Sequence, residues 1–186
     1  VPLLLTAALA VAFRDRPPAP FSRDTASSFY KQMREVYEIS NNLSDSQREI
    51  ASFWDCNPFA VSFSGHMAIG LKKISPGGHW MGITGIACKK ADVSLDSAIL
   101  LHTVVATTLH DAFISCWKEK YSSDRIRPET AINKYLDPEW RPLLQTPPFP
   151  EYSSGHSVVS SAVSVVLTYF LGDNLFEDLR KTPQFF

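Results

Sequence analysis

The sequence predicts an all-α fold, most simply a helical bundle. Apolar residues recur at three- and four-residue spacings over long stretches, and prolines and glycines fall between those stretches. No internal repeat, low-complexity tract or alternating strand pattern stands out. With 186 residues, 45% of them hydrophobic and 20% charged, the chain suits a single helical domain spanning 1–186, with a sizeable core.

The first 13 residues, Val1 to Phe13, resemble the apolar core of a signal peptide without its basic start, and the run is shorter than the ~20 residues that span a bilayer. A packed N-terminal helix is the preferred reading. Because the chain starts with Val rather than Met, its natural start is expected to lie upstream. Arg16-Pro-Pro-Ala-Pro20 forms a stiff connector, after which Asp24 or Thr25 caps a helix reaching about Ile39. Ser44-Asp-Ser-Gln47 is a capping box opening a helix to about Cys56. Between Asn57 and Gly78 the apolar stretches are interrupted by Pro58, Gly65, Gly70 and Pro76-Gly-Gly78, giving short helix plus loop.

His79 to Cys88 forms a further helix despite Gly82 and Gly85. Asp92 to Lys120 is the clearest long one, with Leu95, Ile99, His102, Ala106, Leu109, Phe113 and Cys116 on one stripe. Pro128 suits the first turn of a helix to about Tyr135 and disfavours helical geometry at Arg127. Thr146-Pro-Pro-Phe-Pro150 is extended. Ser154 or Ser157 opens a last helix, His156 to about Leu171, stopped by Gly172-Asp-Asn174.

A net charge of −1 provides no basic field for non-specific binding of nucleic acid or anionic lipid, so any anion must be held locally. Cys56, Cys88 and Cys116 are an odd number without paired metal-ligand spacing. Buried free thiols fit them better than a disulfide framework.

Two short stretches carry the chemistry. In Lys120-Tyr-Ser-Ser-Asp-Arg-Ile-Arg127-Pro128, Lys120 offers a point cation and Arg127 a planar fork of donors. In Ser154-Gly155-His156, a Ser-Gly turn entering a helix aims a hydroxyl, bare amides and the positive end of the helix dipole at an anion. His156 adds a proton near neutral pH. Together they read as a site for a tetrahedral oxyanion. Were the stretch after Lys120 helical, the two cations would lie about 10 Å apart along the axis; a break near Asp124 brings them closer. Taken singly, Lys120 and Arg127 also suit surface pairing with Glu119, Asp124 or Glu129, and His156 suits a helix start without catalytic duty.

These stretches resemble two of the three motifs of the type 2 phosphatidic acid phosphatase and vanadium-dependent haloperoxidase superfamily. Lys120, Arg127 and Pro128 match the first in full; Ser154, Gly155 and His156 match the second, where Ser153 replaces its proline. The third, a Ser-Arg followed by His and Asp, has no counterpart in these 186 residues. Its His is the phosphatases' nucleophile and the haloperoxidases' vanadium ligand, and its Arg completes the anion cradle. A missing remainder is the expected explanation.

The resemblance runs over about Leu95 to Gly172, more weakly upstream, with the two active-site motifs in 92–172, and implies a helical bundle of this superfamily type, incomplete in these residues. Trp117, Pro147 and Phe149 match the halide side of the pocket in the soluble vanadium chloroperoxidase-like branch. The alternative for these three is ordinary core filling. The resemblance implies vanadate as cofactor and halide and hydrogen peroxide as substrates, with proton transfer by His156 and polarisation of peroxide by Lys120. It equally allows a phosphatase that hydrolyses phosphomonoesters through a phosphohistidine, without a cofactor, His156 protonating the leaving oxygen. A third reading is a non-catalytic oxyanion binder. By analogy the subunits pair as a homodimer, and no nucleic-acid partner or integral membrane insertion is expected.

The other histidines fit the site less well. Ser64-Gly65-His66 repeats the tripeptide without nearby paired cations. His79 either caps its helix or lines the pocket. His102 and His110 are spaced too far apart for a compact ligand pair and read as core, and Asp111 reads as a helix anchor.

Overall fold

The computed structural model describes residues 17–56, 61–70 and 74–172. The expected N-terminal helix over Val1 to Phe13 lies outside them. In chain order the elements are α1 (Ser28–Asn41), α2 (Asp45–Phe53), β1 (Val61–Ser64), β2 (Met67–Gly70), α3 (Pro76–Lys90), α4 (Leu95–Ser123), α5 (Pro128–Tyr135) and α6 (Gly155–Leu171). The all-α expectation holds apart from one short antiparallel hairpin, β1 paired with β2 from Val61↔Gly70 to Ser64↔Met67. That hairpin corrects the reading of Asn57–Gly78 as helix plus loop. Gly65 starts its two-residue turn at φ +59°, which a residue without Cβ adopts freely.

Helix starts follow their side chains. Ser44 and Gln47 form the expected capping box at α2. At α1 the cap is Ser27, whose hydroxyl accepts from Tyr30 N, while Asp24 accepts from Ala26 N one turn earlier. This corrects the expected cap at Asp24 or Thr25. Ser75 caps α3 and Pro76 takes its first position, so the helix begins before His79.

The chain divides into two compact units. The first comprises 17–55 and 117–153, and its core is Phe29, Met33, Ala131, Ile132 and Trp140, where α1 meets α5. Burial of Phe29, Met33 and Ile132 contributes about 1.5–3 kcal/mol each. Polar groups in this core are paired: Trp140 Nε1 donates to Ser40 Oγ at 3.0 Å, and Asn133 Nδ2 donates to the carbonyls of Asp137 and Trp140.

The second unit comprises 56–116 and 154–172, with α3 packed on α6. Val158, Val159, Ala162, Val163, Val166 and Leu167 form the buried face of α6. The buried seam of α4 is Leu101, Val105, Leu109, Ala112 and Cys116. Leu95, Ile99 and Ala106 are exposed, which corrects the predicted stripe over the first half of this helix. By length and composition the helix starting at Leu95 is apolar enough to cross a bilayer, a test that a packed core helix also passes.

Candidate functional site

The first motif is built on a helix break. Helix α4 stops at Ser123, and Asp124 turns left-handed at φ +44° while its N–H closes on Lys120 O at 2.9 Å. Asp tolerates this conformation better than most side chains. Arg127 is extended (φ −68°, ψ 147°), as a residue before proline must be, and its side chain makes no cap bond to α5. The guanidinium is therefore free to reach elsewhere.

Within the first unit, four predicted residues converge. Lys120 is only 2% exposed, and its Nζ donates to the carbonyls of Pro150 at 3.1 Å and Glu151 at 3.0 Å. Arg127 Nε donates to Phe149 O. The Phe149 ring centre lies 5.1 Å from Lys120 Nζ, 4.8 Å from Arg127 Cζ and 5.0 Å from the Trp117 ring centre. Pro147 shapes the approach, its carbonyl accepting from Phe149 N at 3.0 Å. Burial of Lys120 overturns the surface-pairing alternative for that residue.

Arg127 Nη2 is buried and has no hydrogen-bond partner among the described residues. Burial pushes the guanidinium below its ordinary pKa, and the nearby Glu151 carboxylate acts the other way. A buried donor that the fold does not satisfy, beside a second buried cation, fits a tetrahedral oxyanion.

Residues that the sequence did not single out hold this arrangement. Ser123 Oγ donates to Tyr152 O at 3.3 Å, and Glu151 N donates to Arg125 O at 3.0 Å. Arg125 Nε also lies 2.8 Å from Glu151 Oε2, a close ion pair rather than an aligned hydrogen bond. The segment from Phe149 to Tyr152 thus hangs on Lys120, Ser123, Arg125 and Arg127. Three of those four anchors act on backbone carbonyls, which leave no mark in sequence.

The second motif sits in the second unit. Ser154 caps α6, its Oγ accepting from Ser157 N at 3.3 Å and from Ser157 Oγ at 3.1 Å. Gly155 and His156 occupy the first turn, where N–H groups have no intrahelical acceptor. No acidic side chain competes there for an anion. The ring of His156 belongs to an exposed residue, whereas Ser153 before the cap is 3% exposed.

His79, in the first turn of α3, joins this second group. Its Nδ1 lies 3.6 Å from Cys56 Sγ. Desolvation first, and the charge of His156 second, push its pKa below the ordinary histidine value. It does not cap α3; Ser75 does.

The remaining candidates lie elsewhere. His66 occupies the exposed hairpin turn, His102 Nδ1 is 2.8 Å from Ala98 O, and exposed His110 faces Asp111 at 3.6 Å. Cys56, Cys88 and Cys116 are buried cysteines outside any disulfide, as expected. Among the described residues no cluster of three His, Cys, Asp or Glu side chains is placed to hold a metal ion.

Comparison with known proteins bears on the fold. Residues 100–184 match the family model described as the VCPO second helical-bundle domain. The crystal structure of a bacterial vanadium-dependent iodoperoxidase superposes with a TM-score of 0.76 at 49% identity, over 85% of this chain and 37% of that one. The chain therefore spans well under half the length of that relative. No curated protein matches it. A sequence match to the helical-bundle domain and a fold match at 49% identity both support a likeness to the vanadium haloperoxidase-like branch.

Proposed function

We propose that this chain provides the oxyanion-holding part of a vanadate-dependent haloperoxidase that oxidises halide with hydrogen peroxide. The observation that carries the reading is Arg127 Nη2, buried without a partner beside buried Lys120 and the Trp117–Phe149 pair. Leaving a buried charged donor unsatisfied costs at least about 1–3 kcal/mol. An oxyanion accepting from it recovers that cost. The similar iodoperoxidase supports vanadate as the oxyanion.

Vanadate, when bound, supplies the centre at which peroxide is activated toward halide. Arg127 and Lys120 would hold it from the first unit, and the Ser-Gly-His motif of the sequence would add the hydroxyl of Ser154 and the N–H of Gly155. Ser154 Oγ accepts from Ser157, so its own proton remains available to donate. His156 would take up and return a proton at a ring nitrogen. Trp117, Pro147 and Phe149 form an apolar wall that excludes water and strengthens each charge interaction. Halide and peroxide are small molecules, and a homodimer remains part of the proposal by analogy alone.

A paired assay on the full-length protein tests this. Halide oxidation that requires vanadate and disappears in His156→Ala supports the haloperoxidase. Release of phosphate from a chromogenic phosphomonoester, inhibited by vanadate and without halide oxidation, replaces it with the phosphatase reading, which the orphaned donor of Arg127 serves equally well. Neither activity in the full-length protein leaves an oxyanion binder.

A further inference from the structure

We propose that Glu151 is a positioning residue for the two buried cations, latched by Arg125 so that its own carbonyl stays aimed at Lys120 Nζ. The inference rests on the reading of Lys120 and Arg127 as holders of the oxyanion. Every contact it uses lies within the first unit.

Three groups of Glu151 are held at once. Its N–H donates to Arg125 O at 3.0 Å, its Oε2 lies 2.8 Å from Arg125 Nε, and its carbonyl accepts from Lys120 Nζ at 3.0 Å. Two of these three partners belong to one residue. Gripped by Arg125 at backbone and side chain together, Glu151 has little freedom to turn its carbonyl away from the ammonium. The same two-residue spacing runs on both segments: Arg125 meets Glu151 and Arg127 meets Phe149, while Ile126 between the arginines packs against the core of α1 and α5. One register thus serves both cations.

Arg125 is in turn built into α1. Its Nη2 donates to Gln32 Oε1 at 2.7 Å, and its Cζ lies 5.4 Å from the ring centre of buried Phe29. A chain of contacts runs from the core through Arg125 and Glu151 to Lys120. Charge acts in the same direction. Burial disfavours the charged guanidinium of Arg127, and the Glu151 carboxylate opposes that effect.

A carboxylate near the clamp also repels an incoming anion, so its two effects differ in sign. Were charge its only role, Glu151→Gln would tighten oxyanion binding and Arg125→Gln would weaken it. A positioning pair weakens binding on loss of either member.

Isothermal titration of inorganic phosphate and of vanadate into the full-length protein and its Glu151→Gln, Arg125→Gln and double variants separates the two. Each single substitution is expected to weaken binding at least about threefold, and the double substitution no more than either alone, because losing one partner already releases the other. Tighter binding in Glu151→Gln, or losses that add in the double variant, overturns the proposal. A second measurement needs no anion: hydrogen exchange at Lys120 Nζ and Arg127 Nε, followed by ¹⁵N resonance at a temperature where both proteins stay folded. Faster exchange at these two groups is expected in Glu151→Gln, with the Trp140 indole N–H, bonded to Ser40 in the same unit, unchanged. Wild-type exchange at both cations, or faster exchange at Trp140 as well, overturns it. If the wild type binds neither phosphate nor vanadate, the clamp reading fails, while the exchange rates still decide whether Glu151 fixes the two cations.

Discussion

Arg127 and Phe149 hold each other twice: the guanidinium carbon lies 4.8 Å from the centre of the Phe149 ring, and Nε donates to the carbonyl of the same residue. One residue thus fixes both the plane and the direction of the guanidinium fork. Of the two remaining nitrogens, Nη2 is buried with no partner among the described residues. Lys120 Nζ approaches the same ring to 5.1 Å, so Phe149 is the common floor of both cations.

Phe149→Leu keeps an apolar wall and removes the ring. Cation–π contacts at desolvated sites are worth ~0.5–2 kcal/mol, so vanadate or phosphate is expected to bind roughly two- to thirtyfold more weakly. Isothermal titration of the two proteins measures this. Equal affinity in both would show that the ring only fills space.

Lys120→Met retains the length of the stem and deletes the ammonium. The carbonyls of Pro150 and Glu151 lose a charged donor, at a cost of ~1–3 kcal/mol, offset in part because a buried cation no longer needs desolvating. A lowered melting temperature together with lost oxyanion binding is expected. Lys120→Arg is not expected to restore either, since a planar fork does not reproduce a point donor between two carbonyls. A variant as stable as the wild type would place the clamp elsewhere.

The sequence showed some of this and hid the rest for definite reasons. Ser44 with Gln47, and Pro128 after Arg127, announce a helix start and a helix break because each acts on backbone within a few residues of itself. The α1 cap was ambiguous because Asp24, Thr25 and Ser27 all suit the role, and packing of Phe29 and Met33 selects the helix phase. The α4 stripe was misphased because Leu95, Ile99, Leu100, Leu101, Val104 and Val105 make this stretch apolar on more than one face. The strands of the hairpin are too short to show an alternating pattern. At the site, residue types named the cations and Ser-Gly-His, whereas the carbonyl acceptors of Lys120 and Arg127 and the pairing of Arg125 with Glu151 required coordinates.

Asp124 sets where Lys120 ends and Arg127 begins. At φ +44° a β-branched side chain is strained and glycine is not. Asp124→Gly is expected to leave stability within ~1 kcal/mol of wild type, while Asp124→Val lowers it by ~1–2 kcal/mol and weakens phosphate binding by displacing Arg127. Urea unfolding of both variants checks the ordering; a Val variant more stable than the Gly variant would contradict the left-handed turn.

Ser154 has two duties that substitutions separate. Ser154→Ala removes the cap of α6 at a cost of ~1 kcal/mol, along with one hydroxyl donor. Ser154→Asp restores a capping acceptor, yet its carboxylate repels an oxyanion. Near-wild-type stability with abolished vanadate binding is therefore expected for Asp, and partial loss of both for Ala. Retained binding in the Asp variant would mean that Ser154 serves the helix alone.

His79 makes stability depend on pH. Its folded pKa lies below the ordinary value because burial, then His156, disfavour the charged ring. As pH falls, the unfolded chain takes up this proton first. Between the unfolded and folded pKa values the unfolded state therefore binds more protons, so this group favours folding above the ordinary histidine value and loses that contribution on acidification. His79→Gln abolishes the dependence. The drop in melting temperature between pH 8 and pH 5 is expected to be smaller in His79→Gln than in wild type, and differential scanning calorimetry at the two pH values measures it. An equal drop would mean that His79 is as easily protonated folded as unfolded, contrary to its partial burial beside Cys56.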